Sequence, residues 1–270
     1  MKVEAWLFKA TKTLEKAGIG TARLDSLVLL EDATGKERGW LLAHQASRLD
    51  ETLLKKLNTQ IKKRATHEPL AYIRGKTEFY GRNFGIDHRV LEPRPESETM
   101  IELLKSLHLP AKPIIVDLGT GSGAIAITAQ LELPASKLIA TDIDAACLAV
   151  AKQNAKKYAL SLDFIEGDLL EPLAERKLTA ILANLPYVPD HFQINPAAMR
   201  EPRIAIFGGP DGLELYRKLF VQLKKFTPKP KFVLTEALPP QHETLAKLAT
   251  GAGYHLEKTD DFIQVFRNMS

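Results

Sequence analysis

The residues best suited to do chemistry are Asn184-Leu185-Pro186-Tyr187, which close an apolar run beginning at Thr179. Proline at 186 biases Leu185 toward an extended backbone and so builds a rigid corner. The corner offers two acceptors, the Asn184 side-chain oxygen and a backbone carbonyl, together with the aromatic face of Tyr187. That set suits a planar NH2 group: two acceptors hold its hydrogens, the ring stacks on its plane, and the nitrogen points at an electrophile. An amide or aromatic amine nitrogen is a poor nucleophile because its lone pair is delocalised. Holding the hydrogens out of plane localises that pair, and fixing the nitrogen ~3 Å from an activated methyl group lowers the entropic barrier. No general base is required first, since the proton leaves after the nitrogen has become cationic. Taken alone, the same four residues also suit a loop with a turn-forming Asn and a packed Tyr.

Upstream, Asp117-Leu118-Gly119-Thr120-Gly121-Ser122-Gly123 joins an apolar run to a helical stretch starting at Ala124. Glycines there let the backbone turn sharply and approach a ligand, and the helix start supplies unpaired N–H groups, so a nucleotide-like cofactor is expected. The spacing is neither that of dinucleotide binders nor that of a P-loop. Asp142 ends the next apolar run 19 residues after Gly123, where a carboxylate accepts from ribose hydroxyls. Capping of the following helix is the competing role, and Asp144 is available for that. Gly167-Asp168-Leu169 follows a third run and is placed to reach an adenine edge, or else simply to turn.

These groups need a scaffold. Short apolar runs at 114–118, 138–142, 162–165, 179–184 and 231–235 alternate with helical stretches at 124–132, 145–158, 212–226 and 241–250. That alternation predicts an α/β fold with a mostly parallel sheet covered on both faces, binding ligands at the carboxyl ends of its strands. The last segment, 257–266, reads as a hairpin about Asp260-Asp261, so the final strand is expected to run antiparallel. Residues 1–75 carry only helical patterns, with stripes Trp6, Ala10, Leu14, Ala17 and Leu24, Leu27, Val28, Leu30. A small helical bundle is expected over 1–75, a linking β-hairpin over 76–95, then a helix over 99–109 within a domain spanning 96–270.

Of 270 residues, 45% are hydrophobic and 26% charged, which is ordinary globular usage and excludes a disordered or coiled-coil chain. A lone Cys147 excludes an intramolecular disulfide and a multi-cysteine zinc site, and with no signal-peptide core or membrane span a cytoplasmic protein is expected. No metal is expected. The net charge of +4 conceals an asymmetry, with 15 basic against 10 acidic residues over 1–80 and 22 against 23 over the remainder. Lys55, Lys56, Lys62, Lys63 and Arg64 form the densest basic stretch, on a helix that Asp50 is placed to cap; it reads as a solvated face or as a docking surface for an acidic or nucleic-acid partner.

Nearly the whole chain resembles the HemK/PrmC protein-glutamine methyltransferases, which are class I (Rossmann-like) enzymes using S-adenosyl-L-methionine. The resemblance lies in Ala22-Arg23-Leu24-Asp25, Trp40-Leu41-Leu42-Ala43-His44, Glu68-Pro69-Leu70-Ala71-Tyr72-Ile73, Phe79-Tyr80-Gly81, and Leu91-Glu92-Pro93-Arg94-Pro95-Glu96-Ser97-Glu98. It continues through Asp117–Ile125, the corner, and Glu201-Pro202-Arg203 running into Gly208-Gly209-Pro210-Asp211-Gly212-Leu213. The resemblance implies a seven-stranded methyltransferase domain behind a helical substrate-docking domain. It also implies methylation of the side-chain amide nitrogen (N5) of the glutamine in the Gly-Gly-Gln motif of peptide chain release factors.

By the same resemblance, Gly119, Thr120, Gly121, Ser122 and Gly123 would hold the methionine part of the cofactor, Asp142 the ribose, Asp168 and Leu169 the adenine, with Asn184 between cofactor and substrate. Asn184, Leu185, Pro186 and Tyr187 would form the glutamine site, catalysis resting on Asn184, Pro186 and Tyr187, and Arg94 lies in a segment that closes over the cofactor side. The family usually has proline where Leu185 stands; if only the backbone carbonyl of that residue matters, a proline there is expected to serve as well or better. The Asn-Leu-Pro-Tyr spelling also resembles ribosomal RNA adenine dimethyltransferases, so adenine N6 in nucleic acid remains an alternative substrate, as does a glutamine of a ribosomal protein. Thr235-Glu236-Ala237-Leu238 stands where Glu-Ile-Gly is usual, a departure expected to affect local packing.

Overall fold

Chain contacts in the computed structural model, which describes residues 1–269, gather into two units: Met1–Gly75 with Ile194–Arg200, and Lys76–Gln193 with the chain from Glu201 onward. The first unit is helical, with α1 (Val3–Lys16), α2 (Ala22–Thr34), α3 (Arg38–Ala43), α4 (Glu51–Ala65) and α5 (Leu70–Arg74). Trp6, Leu14, Leu29, Leu30, Leu41 and Leu57 are buried in its core. The inward face of α2 keeps Leu27 and Leu30 of the expected stripe, with Val28 half-buried, and otherwise differs from it. Leu24 is exposed, and Ala22, Asp25, Ser26 and Leu29 point inward at helical spacing. Burying Asp25 requires a partner, and Arg64 supplies it at 2.6 Å. Arg64 is therefore a core residue and leaves the basic stretch, whose exposed members are Lys55, Lys56, Lys62 and Lys63. Asp50 caps α4 by accepting from the Leu53 N–H at 2.8 Å.

The second unit opens with the antiparallel hairpin β1 (Lys76–Phe79) and β2 (Arg82–Gly85), whose Phe79 and Phe84 are fully buried. Helix α6 (Glu98–Ser106) follows and stops short of the expected 109, because the backbone already turns extended at Leu107 (φ −77°, ψ 146°). Then come β3 (Ile114–Leu118), α7 (Ala124–Glu132), β4 (Lys137–Asp142), α8 (Ala145–Lys157), β5 (Asp163–Glu166) and β6 (Ala180–Ala183). The chain ends with α9 (Glu214–Lys225), β7 (Phe232–Glu236), α10 (His242–Gly251), β8 (Tyr254–Asp260) and β9 (Ile263–Asn268). Helix α9 starts at 214, two residues later than expected, because Gly212 sits at φ +80°.

Seven strands form one sheet in the order β5-β4-β3-β6-β7-β9-β8, parallel except for β9, which is antiparallel to both β7 and β8. Val116, Ile139, Ile181 and Val233 pack into one hydrophobic cluster, and Ile115, Leu138, Leu182 and Leu234 into another. This two-sided burial is why the strands read as continuous apolar runs. It is the mostly parallel α/β sheet that the alternation of runs predicted, including the antiparallel final strand, and its seven strands are those that the resemblance implied.

Candidate functional site

Register places the chemistry along one edge of the sheet. Leu118 pairs with Thr141 on one side and Ala183 on the other, and Ala183 pairs with Thr235. The residues that follow, Gly119, Asp142, Asn184 and Glu236, therefore leave four neighbouring strands at one level. The order of connection reverses between β3 and β6, so the glycine loop and the corner flank the switch point where such sheets bind ligands.

In the loop, Gly119, Gly121 and Gly123 have φ of +67°, +54° and +79°, a region closed to most side chains. At Gly123 a Cβ would lie 3.0 Å from Ala151 Cβ, so glycine there lets α8 pack against the loop. At Gly121 a Cβ would meet nothing within 4 Å, leaving open space over the turn for a ligand. The Gly121 N–H is held by Asp142 Oδ2 at 2.9 Å, and the other oxygen of Asp142 accepts from the Asp144 N–H at 3.0 Å. Burial pushes the Asp142 carboxyl above its ordinary range. Asp144 caps α8 by accepting from the Ala146 N–H, so capping does not explain Asp142. Thr120 and Ser122 are buried, and the Thr120 hydroxyl donates to Asp117 at 2.6 Å. An open glycine turn braced by a strand-end carboxylate fits a nucleoside cofactor.

Asp117 is fully buried, and its Oδ1 has no hydrogen-bond partner among the described residues. Burial pushes this carboxyl up from about 3.8 to about 7. A raised folded-state pKa in an acid destabilises the ionised fold, so the burden is absent below about pH 4 and complete above about 7. Asp117→Asn keeps an acceptor for Thr120 and for the Ala126 N–H. It is expected to be more stable than the parent by about 2–4 kcal/mol at pH 8, with the gain shrinking as pH falls toward 4. Urea unfolding of both proteins at pH 5 and pH 8 checks this, and a gain independent of pH contradicts it.

The two residues expected to reach an adenine, Asp168 and Leu169, are arranged differently from one another. Leu169 has φ +53° and its side chain enters the core, so it can meet a ligand only through its backbone. Asp168 forms an ion pair with Lys218.

At the corner, Asn184 donates from Nδ2 to Ser97 Oγ at 2.8 Å. Ser97 Oγ donates to Glu236 Oε2 at 2.6 Å, and the Tyr187 hydroxyl donates to Glu236 Oε1 at 3.0 Å. With its nitrogen committed, the Asn184 amide has its oxygen left to accept. Burial pushes the Glu236 carboxyl up to about 7 against the pull of these hydrogen bonds, and burial beside Glu236 raises the Tyr187 phenol, keeping it protonated.

The corner backbone is seated on the glycine segment that follows it. A Cβ on Gly208 would fall 2.2 Å from Pro186 O, and one on Gly212 would fall 2.0 Å from Tyr187 O. The Tyr187 carbonyl is further occupied by Gln241 Nε2 at 2.8 Å, whereas no donor among the described residues reaches the Leu185 carbonyl. The two segments most specific to the resemblance also meet. Arg94 Nη2 donates to Glu201 Oε1 at 2.6 Å, and the Glu92 N–H donates to Glu201 Oε2 at 3.0 Å. Leu185 is where expectation and geometry part. Its side chain is buried under the glycine loop, with Cδ2 3.4 Å from where a Gly119 Cβ would stand, and its N–H reaches Tyr216 Oη at 3.3 Å.

Sequence reasoning missed Ser97 and Glu236. Ser97 lay unremarked inside a recognised segment. Glu236 was noted only within a segment that departs from the usual Glu-Ile-Gly and was assigned to local packing; its place one position past the partner of Ala183 needs the register.

Residues 5–75 match the PrmC N-terminal domain family, and residues 97–201 match the Methyltransferase small domain family. A release factor glutamine methyltransferase from Coxiella burnetii is 37% identical, over 89% of this chain and 87% of that protein. One from Moorella thermoacetica is 39% identical, over 81% and 79%. The fold is shared with a methyltransferase from Pyrococcus furiosus, TM-score 0.52 at 18% identity, covering 69% of this chain and 88% of that one.

Proposed function

Because the chain belongs to the release factor glutamine methyltransferase family, we propose that it methylates N5 of the glutamine in the Gly-Gly-Gln motif of a peptide chain release factor, with S-adenosyl-L-methionine as donor. The observation that carries the reading is the corner, where Asn184 commits its nitrogen to Ser97, the Tyr187 hydroxyl is anchored on Glu236, and no donor among the described residues reaches the Leu185 carbonyl. Two acceptors match the two hydrogens of a primary amide, and the ring supports its plane. S-adenosyl-L-methionine supplies an electrophilic methyl group. The protein's part is to align the amide nitrogen, localise its lone pair and exclude competing nucleophiles, all of which are positional effects. Gly119 to Gly123 would hold the amino-acid end of the donor, Asp142 the ribose, and the backbone at Asp168-Leu169 the adenine. The helical first unit is assigned to docking the release factor.

Mass spectrometry of a purified release factor after incubation with this protein and the donor is expected to show one added methyl, on the Gly-Gly-Gln glutamine. Label entering ribosomal RNA and not the release factor would replace this reading with the adenine one. Asp142→Ala removes the proposed ribose acceptor together with the anchor of the Gly121 N–H. Cofactor affinity is expected to weaken by about 1.5–3 kcal/mol, the usual cost of losing a charged hydrogen-bond partner. Calorimetric titration with S-adenosylhomocysteine measures it, and unchanged affinity removes Asp142 from the site.

A further inference from the structure

We propose that Glu236 is the positioning residue that fixes which end of the Asn184 amide faces the substrate, acting through Ser97. The inference rests on the corner being the glutamine site. Asparagine is nearly symmetric in shape, so packing alone does not choose between presenting its oxygen and presenting its nitrogen. The choice is decisive, because a substrate NH2 group needs an acceptor and would be met by two unfavourable donors if the amide were turned over.

The polarity of the surrounding hydrogen bonds makes the choice. Glu236 is fully buried at the end of β7, level with the corner. Two donors converge on it, one on each oxygen: the Ser97 hydroxyl at 2.6 Å and the Tyr187 hydroxyl at 3.0 Å. Such a set matches the ionised carboxylate that Glu236 becomes above about pH 7, which only accepts. Ser97 has thereby spent its one hydrogen on Glu236, and what it offers Asn184 is a lone pair. Asn184 must answer with Nδ2, found 2.8 Å away, and its oxygen is turned toward the substrate side. The same carboxylate anchors the Tyr187 hydroxyl, so one buried charge sets both the acceptor and the ring. Glu236 touches neither substrate nor donor in this scheme.

Glu236→Gln tests the polarity with little change of shape. A glutamine can donate to Ser97, which frees the serine hydroxyl to donate to Asn184 Oδ1 and lets the asparagine turn over. The expected result is a fall in kcat of about 30-fold or more, with KM for the release factor and affinity for S-adenosylhomocysteine within about threefold of the parent, as for a group that aligns and does not bind. A readout independent of turnover is hydrogen exchange of the Asn184 side-chain NH2, followed by NMR. Those protons are expected to be protected in the parent and at least about tenfold less so in Glu236→Gln. Unchanged protection, or kcat within threefold of the parent, overturns the proposal. If Glu236→Gln does not fold, Ser97→Ala takes its place, with a loss of about fivefold or more in kcat and weakened protection expected, and parental values for both overturning it. If the parent methylates no release factor, the proposed function falls on that result alone, and the exchange measurement still decides whether Glu236 orients the amide.

Discussion

Asn184→Ala is expected to lower methyl transfer to the release factor by at least about 100-fold, comparable to deleting one preorganised polar contact to a transition state. The side chain donates to Ser97 through its nitrogen and leaves its oxygen for the substrate, so truncation removes a substrate acceptor and one donor to Ser97. Glu236 keeps Ser97 and Tyr187, so the fold is expected to survive. The loss should appear mainly in kcat, because a substrate gripped by one acceptor still binds but no longer holds its nitrogen in line. Single-turnover assays with saturating release factor measure the step, while circular dichroism confirms folding. Turnover within a few-fold of the parent would mean that the corner does not act on an amide through Asn184.

The sheet was legible because β3, β6 and β7 are buried on both faces and so leave unbroken apolar runs. The glycine loop was legible because a tight turn needs positive φ, and Gly119, Gly121 and Gly123 all have it. What escaped were facts of register and of distance along the chain. Ser97 and Glu236 are 139 residues apart and touch at 2.6 Å, and no local pattern links a serine at the start of one helix to a carboxylate at the end of a remote strand. Arg64 escaped for a related reason. Within its own helix it continues a basic run, and only the inward turn of Asp25 on α2 makes it a core residue. The clasp of Arg94 and Glu201 was present in outline, since both segments carried the resemblance, but their pairing spans 107 residues.

Leu185→Pro is expected to destabilise the protein by about 2–4 kcal/mol and to weaken cofactor binding, the opposite of what the carbonyl alone predicts. Seen only as a backbone acceptor, position 185 should welcome proline, which stiffens the corner and restricts the unfolded chain. The side chain changes the balance. Leu185 is 2% exposed and belongs to the cluster that includes Leu118, Leu213 and Tyr216, directly beneath Gly119. Proline is smaller and cannot send a branch under the loop, so the substitution opens a cavity where the cofactor turn rests. It also deletes an N–H that reaches Tyr216 Oη; at 3.3 Å that bond is long and adds at most about 1 kcal/mol. Leu185→Ala separates the two losses, because it empties the cavity and keeps the N–H. Urea unfolding and cofactor titration of both variants are expected to give similar deficits, which would assign the effect to the missing side chain. If proline proves far worse than alanine, the corner needs the backbone donor. If proline matches the parent in stability and raises methyl transfer, the packing argument fails and the carbonyl is all that position 185 contributes.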